Sequence, residues 1–428
     1  MNLKRIDMDD YQLIGPFSQL LPMSGLPLKG PLSDTLLPVI SNAGILVKGQ
    51  YIQEIGHYFD LLPKARKLGA SIDLLDGNHV CLPGFVDAHT HICFAGSRAK
   101  DYAQRNAGRS YLEIADSGGG IWDTVTQTRN ATAEMLVHHT VNRANMHLGR
   151  GITTIEVKSG YGLSLSEELK MLRAIKEAND LVSSDLVPTC LAAHMLPRDF
   201  DGTPKEYLRQ MAQYLFPILK QENLTQRMDA FIERSAFTAD DIVPYFTRAQ
   251  EMGFDITVHA DQFSTGGSGV AIRFKALSAD HLEASTQREV QALAQSNVIA
   301  LALPGASVGL GCDFAPARKI LDAGGALAIA SDWNPGSAPM GDLLVQAALL
   351  GSFQKLTNTE VLAGITFRAA SALNLQDRGT MAAGKIADML AFPAEDHTEI
   401  LYHQGSLKPD KVWKKGRLVV DKTHEDGL

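Results

Sequence analysis

The sequence predicts an α/β protein: a (β/α)8 barrel with a small composite β-sandwich built from the two ends of the chain. Three observations predict it. First, eight apolar runs rich in β-branched residues alternate with longer segments of helical period between about residues 82 and 333, the pattern of repeated βα units on a parallel sheet. Second, five of the thirteen histidines and one aspartate stand at the C-terminal ends of those runs, the face on which such barrels carry chemistry. Third, residues 1–83 and the stretch from 384 to 428 have instead the character of short strands and turns. The expected division is therefore 1–83 plus 384–428 for the composite β unit and 84–383 for the barrel.

Within the first segment, AGILVKGQYIQEIG alternates apolar and polar residues, and DLLDGNHVCLPG supplies another strand after a D-G turn. The C-terminal segment answers with GKIADMLAF and with KVWKKGRLVV, which contains a K-G turn, so the two ends are expected to pair. The barrel runs are LPGFVDAHT, GITTIEVKS, DLVPTCLAAH, RMDAFIERS, FDITVHADQ, ALSADHL, NVIALALPG and GALAIASDW. Between the second and third, SLSEELKMLRAIKEAND opens with an S-x-x-E capping pattern, of Ser164 and Glu167 or of Ser166 and nearby acids, and predicts a helix.

Composition narrows the function. A chain of 428 residues with 45% apolar and 21% charged residues buries a large core, and a barrel takes 250 or more residues as one unit. The net charge of -8 excludes the broad basic surface that nucleic acids or anionic membranes require, which leaves a small molecule as the expected partner. No run reaches the roughly 18 apolar residues that span a bilayer. The opening MNLKRIDMDDYQLIGPF places Asp7, Asp9 and Asp10 before any apolar stretch, unlike a secretory signal. Cys81, Cys93, Cys190 and Cys312 lack CxxC spacing, which argues against a disulfide framework or a zinc ribbon and for a cytoplasmic protein with free thiols.

The chemistry begins at PGFVDAHTH. Strand side chains alternate faces, so His89 and His91 project to one side and can share a metal ion. An H-x-H pair alone is weak evidence. Here the third run adds His194, the fifth His259, the sixth His281 and the eighth Asp332, and the neighbours of His259, Ile256, Val258 and Ala260, form an apolar side for outer helices. His138 and His139 on a helix and His57, His397 and His403 in the outer segments are expected at the surface. Three imidazoles and a carboxylate suit Zn²⁺ or Fe²⁺ with a position left for water, and such a metal brings water towards a pKa of about 7 and polarises a carbonyl. Hydrolysis is the implied chemistry, with Asp332 and His281 both available to handle the proton. Cys93 is expected to pack rather than ligate, and Lys158 is discounted as a carbamylated bridge to a second metal.

Loops after the runs supply the pocket. FAGSRAKDYAQR offers Arg98 for a bidentate grip on a carboxylate, KSGYGLS places Tyr161 over the same face, and DWNPGS adds Asn334, Gly336 and Ser337. GGGIWDTV, with Gly118, Gly119 and Gly120, lacks the lysine of a phosphate loop and is expected to be a hinge or a tight turn.

PGFVDAHTH, ASDWNPG and the paired β ends resemble the amidohydrolase superfamily. More narrowly, FAGSR, GGGIWDTV, EVKSGYGL, LAAH, HADQFSTGGS, SADHL, LPG, APARK and DWNPGS resemble the imidazolonepropionase family, in order and across nearly the whole barrel. The resemblance implies hydrolytic opening of 4-imidazolone-5-propanoate to N-formimidoyl-L-glutamate in histidine breakdown by a homodimer with one zinc or iron (Fe²⁺ or Fe³⁺) ion per subunit. It further implies His89, His91, His259 and Asp332 as metal ligands, and His281 with Asp332 in proton transfer. Arg98, Tyr161 and His194 would hold the substrate, Arg98 by its carboxylate, while Asn334, Gly336 and Ser337 would contact the product end. Two positions depart from the family pattern. Gln262 stands where many members carry Glu, and because an amide cannot exchange a proton near neutrality it is given a binding role. Trp333 replaces a smaller aromatic. Another deaminase, deiminase or cyclic-amide hydrolase of the superfamily acting on a carboxylate-bearing substrate is the competing enzyme reading. A metal-free scaffold is the other; all four matched ligands argue against it.

Overall fold

The first strands of the chain find their partners at its far end. The computed structural model describes residues 10–109, 113, 118–234 and 236–423, so residues 1–9 of the opening stretch lie outside the described residues. In chain order the early strands are β1 (Tyr11–Leu20), β2 (Ile40–Lys48), β3 (Tyr51–His57), β4 (Ser71–Leu74) and β5 (Val80–Pro83). The late ones are β14 (Met389–Phe392), β15 (Lys411–Lys414) and β16 (Arg417–Asp421), and between them run β6 (Phe85–Asp87), β7 (Ile152–Lys158), β8 (Asp185–Ala193), β9 (Arg227–Ile232), β10 (Asp255–Ala260), β11 (Ser278–His281), β12 (Ile299–Ala302) and β13 (Leu327–Ile329).

One eight-stranded sheet joins both ends: β16-β15-β14-β5-β1-β2-β3, with β4 beside β1. Its seam is the antiparallel pairing of β14 with β5, Met389 opposite Pro83 and Phe392 opposite Val80. The sheet closes on itself through the Tyr51–Ile386 bridge and wraps a core of its own, where Phe17 meets Trp413 edge-on at 6.3 Å beside Ile45, Val47 and Met389. This is the sandwich the terminal patterns predict. β2 is buried on both faces, Ala43, Ile45 and Val47 turning into this core and Leu46 packing with Tyr58 and Leu61 of the helix Tyr58–Lys67, while β3 is largely solvent-facing apart from Ile52.

The eight apolar runs become β6 to β13, paired in sequence order and all parallel. Every residue of β7 and β9 is buried, as expected of strands covered on both faces. The barrel closes between β13 and β6 through the Thr90–Trp333 bridge. There Asp332 N donates to His89 O at 3.0 Å, and His91 N donates to Trp333 O at 2.9 Å. The bonds that close the barrel thus also bring the first pair of histidines beside the aspartate of the last strand.

Of the two caps the sequence offers, the helix Leu165–Leu181 uses Ser164, whose side chain accepts from Glu167 N. The three glycines are a turn into the helix Ile121–Asn130: Gly118 and Gly120 have φ of 93° and 78°, and Gly120 N donates to Asp101 at 2.9 Å. Cys81, Cys93 and Cys190 are buried and Cys312 is exposed, all as free thiols. No helix among the described residues is long and apolar enough to cross a membrane.

Candidate functional site

At the C-terminal mouth of the barrel the strand-end histidines converge. His91 Nε2 lies 3.3 Å from His89 Nε2 and 3.3 Å from His259 Nε2, and Asp332 Oδ1 is 3.4 Å from His91 Nε2 and 3.5 Å from His89 Nε2. His281 joins through a second set, its ring nitrogen grouping with those of His89 and His259 within 4.8 Å. His281 and Asp332 are held at φ of 84° and 50°, a left-handed conformation that costs energy in residues with a Cβ and recurs where a side chain must be aimed.

The opposite nitrogens of these rings are held by carboxylates inside the barrel. His89 Nδ1 donates to Asp280 Oδ2 at 2.6 Å, and His259 Nδ1 sits 3.0 Å from Asp229 Oδ2, while His259 N donates to Asp229 Oδ1 at 3.2 Å. A proton on Nδ1 leaves Nε2 as a lone pair. Burial pushes the pKa of His91 down to about 4 and that of His259 well below the usual histidine range, so both present neutral rings. Burial and the nearby Lys158 oppose charge on His89, but the carboxylates of Asp280 and Asp332 beside it prevail and raise it to about 9. Those carboxylates hold a proton that a cation among the same atoms would replace. Asp332 is pushed up by burial, yet the histidines beside it hold its carboxyl well below the usual range, and its Oδ1 is buried with no hydrogen-bond partner. Three buried carboxylates, Glu156, Asp229 and Asp280, face the buried ammonium of Lys158, and Asp332 adds a fourth beside the histidines. Converging imidazole lone pairs, an unpartnered carboxylate oxygen and this excess of negative charge fit a divalent cation.

The loops are built differently. Arg98 is only 8% exposed, so it is no solvated surface arginine; its Nε donates to Asp101 at 2.8 Å. Its guanidinium lies over Gly336, where an added Cβ would come within 2.4 Å of Nη1. Asn334 ties its own turn: Oδ1 accepts from Gly336 N and Ser337 N, both at 2.8 Å, and Nδ2 donates to Asp332 O at 2.7 Å and Ser337 Oγ at 2.9 Å. Ser337 Oγ then reaches Asp332 Oδ2 at 3.3 Å. Tyr161 is buried, 5.8 Å from His91 and 5.5 Å from His194 between ring centroids. His194 donates from Nδ1 to Gly160 O at 2.9 Å, which leaves Nε2 as an acceptor, and burial lowers its pKa to about 4. Gln262 lies half-buried in the bend after β10. Trp333 packs edge-on against His147 at 4.7 Å, and His147 Nε2 lies 3.2 Å from Asp87.

With this geometry in view, residues 80–419 match the model of the amidohydrolase family. The chain belongs to that family. It is 39% identical over 384 residues to an imidazolonepropionase of Acinetobacter baumannii, covering 89% of this chain and 95% of that protein. An imidazolonepropionase of Bdellovibrio bacteriovorus is 36% identical over 411 residues, 95% of this chain and 96% of that one. These relatives make the chain a member of the imidazolonepropionase family and a hydrolase of carbon–nitrogen bonds. Among solved structures, an adenosine deaminase of Xanthomonas campestris with bound zinc superposes with a TM-score of 0.69 at 16% identity, covering 96% and 93% of the two chains. The atrazine chlorohydrolase of Arthrobacter aurescens complexed with zinc gives 0.68 at 15%, covering 96% and 95%. At that identity the likeness is one of fold.

Several residues of this amidohydrolase that hold the site escape the strand-end pattern. Asp229 and Asp280 lie inside β9 and β11, and the signal for them was a carboxylate within an otherwise apolar strand, which burial obliges to find a partner. Glu168 accepts the N–H groups of Gly160, Gly162 and Leu163 at 3.2, 2.9 and 2.8 Å and so folds the loop carrying Tyr161. Arg105 approaches Gly336 O at 3.5 Å beside Arg98, and its pKa is lowered by burial and by that neighbouring charge. Lys158 pairs with Glu156 and Asp229 at 2.8 and 2.9 Å; a carbamate there would set a further anion among buried carboxylates.

Proposed function

We propose that this amidohydrolase opens the ring of 4-imidazolone-5-propanoate to N-formimidoyl-L-glutamate, a step of histidine breakdown, using one zinc or iron ion held by His89, His91, His259 and Asp332. The observation that carries the reading is His91 Nε2 lying 3.3 Å from the Nε2 atoms of both His89 and His259, with Asp332 Oδ1 3.4 Å from His91 and 3.5 Å from His89, joined through Ser337 to the turn on which Arg98 rests. Such an ion, when bound, supplies a Lewis acid that polarises the amide carbonyl and acidifies water.

The chain's own residues account for the rest. Arg98 pairs with the propanoate carboxylate and, with Tyr161 and His194 Nε2, sets the ring against the metal-facing atoms. Asn334 shapes the turn, so that Gly336 and Ser337 offer a wall without bulk, and Gln262 contributes a neutral hydrogen-bonding group. Water's oxygen becomes part of the new carboxylate, the amide C–N bond breaks, and the departing nitrogen takes a proton. His281 and Asp332 move that proton from water to nitrogen, His281 lying 3.5 Å from Glu283 on its Nδ1 side.

The test is ultraviolet monitoring of purified, metal-quantified protein as it consumes freshly prepared imidazolone propanoate. Loss of imidazolone absorbance with stoichiometric formimidoylglutamate is the expected result. Metal-loaded protein that leaves the imidazolone untouched would overturn the substrate assignment and direct the search to other carboxylate-bearing cyclic amides and to deaminase substrates.

A further inference from the structure

Lys158 ends β7 inside the barrel, fully buried, and the reaction proposed above gives it no task. Its ammonium contacts three carboxylates, at 2.8 Å to Glu156 Oε1, 2.9 Å to Asp229 Oδ2 and 4.0 Å to Asp280 Oδ2. Two of these oxygens are the ones that meet the metal-facing histidines: Asp229 Oδ2 lies 3.0 Å from His259 Nδ1, and Asp280 Oδ2 accepts from His89 Nδ1 at 2.6 Å. The third carboxylate reaches the remaining histidine by another path. Glu156 Oε2 accepts from Thr90 N at 3.0 Å, and Lys158 N itself donates to Thr90 O at 3.0 Å, the residue between His89 and His91.

We infer that Lys158 is a positioning residue of the metal centre, its ammonium fixing the carboxylates that aim His89 and His259. The inference rests on the metal reading of that site. A carboxylate that serves one imidazole can swing about its own bond; Asp229, ion-paired to the ammonium at that same oxygen at 2.9 Å, is held against such a swing, and Asp280, 4.0 Å away, is drawn the same way by charge. Buried ion pairs of this kind contribute little net stability compared with apolar packing, whereas partners behind a ligand change metal affinity by about 10–100-fold. Removing Lys158 would also leave Glu156, Asp229 and Asp280 to repel one another and to splay the two rings they hold.

The experiment compares the full chain with Lys158→Met and with Lys158→Met/Glu156→Gln. The double variant removes one charge of each sign and keeps the buried balance, so it guards against simple unfolding. Metal-free thermal midpoints report the fold; Co²⁺ dissociation constants and the visible Co²⁺ spectrum report ligand geometry. The expected result is a double variant whose metal-free midpoint stays within a few degrees of the parent while its Co²⁺ affinity falls about tenfold or more and its visible bands shift. Unchanged affinity and spectrum in a folded double variant would overturn the inference. Parent protein that binds no Co²⁺ would instead sink the metal reading itself.

Discussion

The candidate site has two halves held by different means. The histidine half stands on strands and is braced from inside the barrel by buried Asp229, Asp280, Glu156 and Lys158. The arginine half stands on loops, where Asn334 spends its amide on its own turn and Gly336 leaves room for the Arg98 guanidinium. Charged groups locked below a rigid rim suit a centre whose geometry must not move. A turn stabilised by local hydrogen bonds suits recognition, since its shape can change without disturbing the strands. The halves touch where Ser337 Oγ lies 3.3 Å from Asp332 Oδ2 and Asn334 Nδ2 donates to Asp332 O at 2.7 Å.

Substitutions should separate them. His259→Ala should abolish metal retention and turnover together, by about a thousandfold or more given the several kcal/mol a Lewis acid supplies; metal analysis alongside the imidazolone assay checks it, and near-normal activity would remove His259 from the site. Arg98→Ala should leave metal content unchanged and raise KM, with a loss of about 2–4 kcal/mol in substrate binding for a desolvated charge pair. An unaltered KM would detach Arg98 from the substrate. Gly336→Ala should act in the same direction but less, about tenfold in KM (about 1.4 kcal/mol), because its Cβ pushes on a guanidinium that Asp101 still holds. If Gly336→Ala lowered metal affinity instead, the two halves would not be separable.

What the sequence discloses follows the same division. All eight strands are legible because parallel strands buried on both faces read as continuous apolar runs, and the pairing of β5 with β14 is foreshadowed by matching short-strand patterns at both ends. The histidines stand out because each ends such a run. Asp229 and Asp280 do not, since the strand-end rule looks past polar residues inside the barrel, and only the folded barrel brings them behind His259 and His89. Arg105 and Glu168 are further out of reach. One lies a helix turn or two beyond Arg98 and the other in the helix after Tyr161, and their task depends on backbone groups that no side-chain pattern displays.

His194 lies between the halves and offers the subtlest test. Its ring stacks on His91 at 5.7 Å, while its Nδ1 is bonded to Gly160 in the Tyr161 loop. Burial lowers its pKa from 6.5 to about 4, so between those values the unfolded chain takes up a proton that the folded ring refuses. More protons bound in the unfolded state mean that stability falls as pH falls through this window, and the contribution is intact only above about 6.5. His91, also lowered to about 4, acts in the same sense, so metal-free protein should lose thermal midpoint steadily from pH 6.5 to 4.5. His194→Asn keeps a donor for Gly160 O but cannot titrate, and its midpoint should fall less across the same range, by about 2 °C. Parallel pH profiles for the two proteins would mean that the folded ring takes up a proton as readily as the unfolded chain, and that burial does not hold His194 neutral across this range.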